Sequence, residues 1–154
     1  MTTPDTALIQ QAEAQALEHL DKYLAAFHNF ERPLRLLLQR KYSPEEILEV
    51  EGKRCMLSVR GLQFHERIVY FQVTGLSIKE VAPYEGYDTF IEAPLRVINQ
   101  FLARTLSGDE DAFGDLLASN DVRFRGQRCY NDMRAFEDAC RLLASNIGRM
   151  LGVG

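Results

Sequence analysis

The hydrophobic pattern changes period twice, at Gly52 and again at Pro94, and these two changes constrain the fold more than any other feature of the chain. Before Gly52 the apolar residues recur at helical spacing. Ala12, Ala16, Leu20, Leu24 and Phe27 form one face of a first helix, capped by Thr6 and running to about Asn29 behind a frayed tail at Thr2–Asp5. Pro33 suits the first turn of a second helix, "PLRLLLQRKY", because the donor it lacks is unpaired there anyway. "SPEE" then places Ser43 at N-cap, Pro44 at N1 and Glu46 at N3, so a reciprocal capping box starts a third helix that Gly52 stops.

From Arg54 to Ala93 the period is two. Cys55, Leu57 and Val59 alternate with Met56, Ser58 and Arg60. Val69, Phe71 and Val73 alternate with Ile68, Tyr70 and Gln72. "LSIKEVAP" and "YDTFIEA" continue the series, with Gly61, Gly75 and Gly86 as punctuation. The expectation is a four-stranded antiparallel meander.

Pro94 restores the helical period. Leu95, Ile98, Phe101 and Leu102 line one face of "PLRVINQFLART", which Gly108 ends. "DEDAFGDLLAS" is a short helix with an acidic first turn and an apolar side of Phe113, Leu116 and Leu117. "DVRFRG" is a fifth strand. Asn131 or Asp132 caps a long last helix whose stripe, Met133, Phe136, Cys140, Leu143, Ile147 and Met150, reads as core packing, with a partner-helix seam as the other reading. The fold class is therefore α+β: a five-stranded, mainly antiparallel sheet covered by helices, with residues 1–51 as an N-terminal helical extension packed on a unit of residues 52–154.

A chain of 154 residues buries enough surface to need no covalent staples. The net charge of -4 argues against a general nucleic-acid binder. Three cysteines, Cys55, Cys129 and Cys140, have no CxxC spacing and read as free thiols of a reducing compartment. "MTTPDTALIQQ" has neither the basic nor the apolar region of a secretory signal, and the apolar runs are shorter than a membrane span, so a cytoplasmic protein is expected.

Reactive constellations are scarce. His19 and His28 are nine residues apart on the first helix, and His65 sits in a turn, so no metal pair arises and no metal or other cofactor is expected. "GDEDAFGD" carries Asp109, Glu110, Asp111 and Asp115 without the alternation of a calcium loop. Asp88 and Glu92 could form a carboxylate pair, but nothing beside them supplies a nucleophile or an activated water. Catalysis is not expected. Arg123, Arg125 and Arg128 around Phe124 hint at a nucleic-acid patch, yet strand alternation sends Arg123 and Arg125 to one face and Val122 and Phe124 to the other.

The order and spacing of the meander, "DTFIEAPLRVINQFLARTLSGDEDAF" and "DVRFRGQ" resemble the sterol carrier protein type-2 (SCP2-like) lipid-binding domain family from about Gly52 to Leu143. The helical lead into "EGKRCMLSV" is similar to standalone bacterial members described as ubiquinone-biosynthesis accessory factors. "ASND" departs from the Met or Gly common before the late strand, and the long helical N-terminus is not part of the minimal domain. The resemblance implies an apolar cavity between sheet and helices that takes a fatty acid, phospholipid, sterol-like molecule or isoprenoid quinone, carried or presented to membrane enzymes without catalysis. Expected lining residues are Val69, Phe71, Val73, Phe90 and Ile98, together with Phe101, Phe113, Leu117, Phe124 and Phe136. These positions serve equally as filled core, and a protein-interaction module, including a homodimer, is the alternative use of the same fold.

Overall fold

A computed structural model describes residues 4–126 and 130–150. Arg128 and Cys129, the side chain of Met133 and the tail through Thr3 lie outside the described residues. Three helices lead: α1 (Pro4–Asn29), α2 (Glu31–Lys41) and α3 (Pro44–Val50). The strands β1 (Arg54–Arg60), β2 (Ile68–Thr74), β3 (Ser77–Glu80) and β4 (Thr89–Pro94) follow. Helices α4 (Leu95–Leu106) and α5 (Ala112–Ala118), strand β5 (Arg123–Gly126) and helix α6 (Tyr130–Met150) complete the order. The capping box forms as expected: the Glu46 amide donates to Ser43 Oγ at 3.2 Å and the Ser43 amide to Glu46 Oε1 at 2.9 Å. Helix α1 begins earlier than expected, so Thr6 lies within it rather than capping it.

The sheet corrects one expectation. Its order is β3-β2-β1-β4-β5, with β1 and β4 parallel and the other three pairings antiparallel. The meander therefore stops after three strands, and β4 crosses to the far side of β1. The register shows why this crossing is cheap. Glu80 pairs with Phe71, Phe71 with Cys55, and Cys55 with Thr89, so β3 ends at the level where β4 begins. The connection from Val81 to Asp88 needs only a sideways shift of about 14 Å, three strand spacings, well within reach of a chain that extends roughly 3.3 Å per residue. Tyr84 anchors it by donating to the Phe71 carbonyl at 2.8 Å and meeting the Tyr70 ring edge-on at 5.1 Å. Asp88 clamps its end: the amide donates to the Arg54 carbonyl at 3.0 Å, and the carboxylate accepts from the Arg54 amide at 2.8 Å.

Alternation divides the sheet into unlike faces. Cys55, Leu57, Val69, Val73, Ile91 and Ala93 are buried on the inner face. Met56, Tyr70 and Phe90 are half-buried on the outer one, where Arg123 and Arg125 are exposed. The inner face shares one apolar cluster with the helices, including Leu20 and Leu24 of α1 and Leu38 of α2. The N-terminal helices thus bury their stripes in the same core as the sheet. Asn99 of α4 donates to the Ala16 carbonyl at 3.1 Å, and Glu13 accepts from the Gln63 and Phe64 amides at 2.8 and 3.1 Å, fixing α1 at both places.

A polar junction joins α2, α3 and α6. Asp138 is 3% exposed; it accepts from Tyr42 Oη at 2.6 Å and from Lys41 Nζ at 3.1 Å. Arg134 lies over the Tyr42 ring at 4.6 Å and pairs with Glu46 of the capping box. Asp138, the buried charge of this junction, has directed partners, the condition under which burial of a charge is tolerated.

Candidate ligand-binding cavity

Between the inner sheet face and the helices lies a cavity of about 100 Å³. The sheet contributes Cys55, Leu57, Phe71, Ile78 and Ile91. Phe101 and Leu102 of α4, Phe113 and Leu116 of α5, and Phe136, Ala139 and Cys140 of α6 form the opposite walls. Leu24 and Phe27 of α1 and Leu34 and Leu38 of α2 close one side. The polar lining side chains are His28 and Glu31, at the corner where α1 turns into α2 beside β3.

The phenylalanines meet in edge-to-face pairs across elements: Phe71 with Phe136 at 6.2 Å and Phe101 with Phe113 at 5.8 Å. Such pairs add about 0.5–1.5 kcal/mol beyond area burial while leaving concave gaps between rings. Burial raises the Cys55 and Cys140 thiols to about 12, so both wall cysteines are neutral thiols at ordinary pH.

Leu76 forms part of the wall from the β2–β3 turn. Gly75 and Leu76 have φ of +57° and +65°, as a tight hairpin turn with two left-handed residues requires. A leucine in that region is disfavoured by roughly 1–2 kcal/mol. Its side chain is 1% exposed, and this burial offsets the backbone cost.

The expected lining residues divide. Phe71, Phe101, Phe113 and Phe136 stand on the wall. Val69, Val73 and Ile98 are fully buried core away from it. Leu117 and Phe124 are half-buried against the core, and on α5 it is Leu116 that reaches the cavity. Phe124 does face inward, paired with Ile91. Phe90 is the clear departure. Its neighbours Thr89 and Ile91 are buried, so alternation turns Phe90 outward, where it packs on Tyr87 at 5.4 Å and beneath Arg125 at 5.5 Å.

The other candidates settle into structural roles. Asp88 is the strand clamp described above, while Glu92 lies 3.9 Å from Arg123. Arg104 bridges Asp109 at 2.8 Å and Asp115 at 2.6 Å, which accounts for two of the acidic residues after Gly108. His65 contacts Glu13 at 3.2 Å and His19 stacks on Tyr23. Among the described residues no group of three or more His, Cys, Asp or Glu could hold a metal ion, and no helix is long and apolar enough to cross a membrane.

Missing from the sequence reading is the share of the wall supplied by α1, α2 and the β2–β3 turn. The apolar stripe of α1 already pointed to Leu24 and Phe27 as buried; their position at a cavity depends on packing that periodicity does not encode.

Neither a protein-family model nor a curated protein matches the chain. Among solved structures the chain is similar to one titled "UbiJ-SCP2 Ubiquinone synthesis protein", at 17% identity over 77% of this chain and 96% of that one, with a TM-score of 0.48.

Proposed function

We propose that the protein binds a hydrophobic small molecule in this cavity and carries or presents it, without catalysis, to enzymes at a membrane. The observation behind the proposal is the cavity itself: a space walled by five phenylalanines, aliphatic side chains and two neutral thiols, with polar groups confined to one corner. Such a wall gains roughly 25 cal/mol for each Å² of ligand surface taken from water, and the polar corner sets the ligand's direction. The SCP2-like order of elements read from the sequence supports the same function.

At about 100 Å³ the cavity is smaller than the roughly 300–1,000 Å³ of pockets that enclose a drug-sized ligand. Uptake of an acyl or isoprenoid chain therefore requires the facing phenylalanines to change rotamer and widen the space between the fixed helices. Native mass spectrometry of the purified protein tests the reading. The expected result is a co-purifying lipid, or uptake of offered fatty acid, phospholipid, sterol or quinone with one ligand per chain. Absence of any adduct with all four classes overturns it.

A further inference from the structure

The corner where the cavity meets solvent has a chemistry of its own. His28 and Glu31 reach the lining from the end of α1 and the start of α2, with side chains 39% and 33% exposed. Across from them β3 presents Glu80 and Lys79. His28 Nε2 lies 3.4 Å from Glu80 Oε1, and Lys79 Nζ lies 3.5 Å from Glu31 Oε1. Arg67 closes the network, 3.3 Å from both Glu80 and Asp21. Phe27 and Ile78, half-buried, mark the step from this polar rim to the apolar interior.

The groups left to face a ligand are acceptors. A neutral imidazole that donates Nε2–H to Glu80 presents Nδ1 as a lone-pair acceptor. Glu31 retains acceptor capacity, since a carboxylate has about four lone-pair sites and Lys79 uses one. The two cations at the rim, Lys79 and Arg67, already lie against carboxylates. An anionic head placed here would meet Glu31 and Glu80 with no uncommitted cation of the rim to receive it, and like charges at such range disfavour binding. A hydroxyl donates one hydrogen bond and adds no charge.

Resting on the reading of the cavity as a ligand site, we infer that its mouth selects hydrophobic molecules with a neutral hydroxyl head, alcohol or phenol, over anionic lipids. His28 and Glu31 are the specificity-determining acceptors. The alkyl body enters among the phenylalanines and the hydroxyl stays at the α1–α2 corner.

Titration calorimetry at a fixed pH of about 8 with dodecane, dodecanol and dodecanoate tests this, on wild type and on the rim variants Glu31→Gln and His28→Phe, with circular dichroism to establish that each is folded. Any apolar cavity prefers an alcohol to a carboxylate to some degree, so the decisive readout is how the variants change that preference. Wild type is expected to bind dodecanol at least tenfold more tightly than dodecanoate. Glu31→Gln narrows that ratio several-fold by admitting the carboxylate, and His28→Phe weakens dodecanol towards dodecane. Equal binding of alcohol and carboxylate by wild type, or a ratio that neither variant moves, overturns the inference and leaves the cavity reading standing. Failure of all three probes to bind overturns the inference, and the cavity reading falls with it only where the four lipid classes also leave no adduct.

Discussion

Helices α2 and α6 meet in two places, and opposite kinds of interaction hold them. At the polar junction, Lys41 and Tyr42 meet Asp138 through hydrogen bonds of 3.1 and 2.6 Å, and Arg134 ties the cluster to α3. At the cavity, Leu34 and Leu38 face Phe136, Ala139 and Cys140 around open volume. Directed bonds tolerate little displacement, whereas apolar contacts tolerate exchange of one partner for another of similar shape. The junction therefore fixes where the helices are, and the cavity between them does not have to be filled by side chains for the fold to be unique. This division of labour suits the proposed binding role: the rigid contacts lie beside the cavity rather than in it.

The strongest test removes the junction. Asp138→Ala strips the shared acceptor from Tyr42 and Lys41 and leaves Arg134 with one carboxylate fewer. Loss of one member of a buried charge cluster costs about 3–5 kcal/mol, read as a lower urea midpoint. If the loss is under about 1 kcal/mol, close to that of an ordinary surface pair, the apolar cluster alone holds α6 and the contrast fails.

The turn at Leu76 tests the cavity side. Leu76→Ala removes a buried wall residue while keeping the left-handed strain, for an expected loss of about 2–5 kcal/mol. Leu76→Gly removes the same side chain but relieves roughly 1–2 kcal/mol of strain. Glycine should thus be at least as stable as alanine here, the reverse of the usual order in regular structure. Urea midpoints for the two variants, compared side by side, decide the point.

The two regions should also fail at opposite ends of the pH scale. Hydrogen bonds from the Ser43 amide and from Arg134 hold the Glu46 carboxyl below its ordinary value of 4.5. A depressed carboxyl stabilises the fold above the unfolded value, and that contribution fades as pH falls below about 4.5. The thiols have the other sign. Cys55 and Cys140 are raised from 9.0 to about 12, so their contribution is complete below pH 9 and is lost as pH climbs towards 12, because the unfolded chain ionises first. Between pH 9 and 10 each thiol should cost about 1 kcal/mol, an amount that the Cys55→Ala, Cys140→Ala double variant removes.

Legibility in the sequence follows the same division. Local signals were sufficient for the elements: the capping box at Ser43–Glu46, the hydrophobic alternation of β1 and β2 and the stripe of α6 each depend on neighbours a few residues away. Partner choice was not legible. Nothing in "YDTFIEA" states whether β4 pairs with β3 or with β1, because both arrangements bury Thr89, Ile91 and Ala93. The alternation of β4 does contain the placement of Phe90: it is in phase with Asp88 and Glu92 and opposite in phase to Thr89 and Ile91. His28 and Glu31 carry no distinguishing pattern in the chain, and their pairing at the mouth arises only when the α1–α2 corner folds beside β3. Leu76 is the subtlest case, a hydrophobic residue at a turn position where the sequence signal favours glycine or asparagine.

The smallest effect compares two alanines. Ala93 and Ala139 are 0% and 5% exposed, yet only Ala139 borders the cavity. Ala93→Leu forces added methylenes into a packed sheet–helix contact, at a cost of about 1–3 kcal/mol. Ala139→Leu has the cavity to enter, so its cost should be below about 1 kcal/mol, and filling that volume offsets part of the strain. Stability alone does not identify the cavity as a binding site, because any packing defect would accept a leucine. Ligand uptake separates the two meanings. Ala139→Leu should keep its urea midpoint close to that of wild type while losing most of its capacity for dodecanol. A variant that is equally stable and still binds would place the ligand elsewhere on the protein and leave this volume as an ordinary gap in the core.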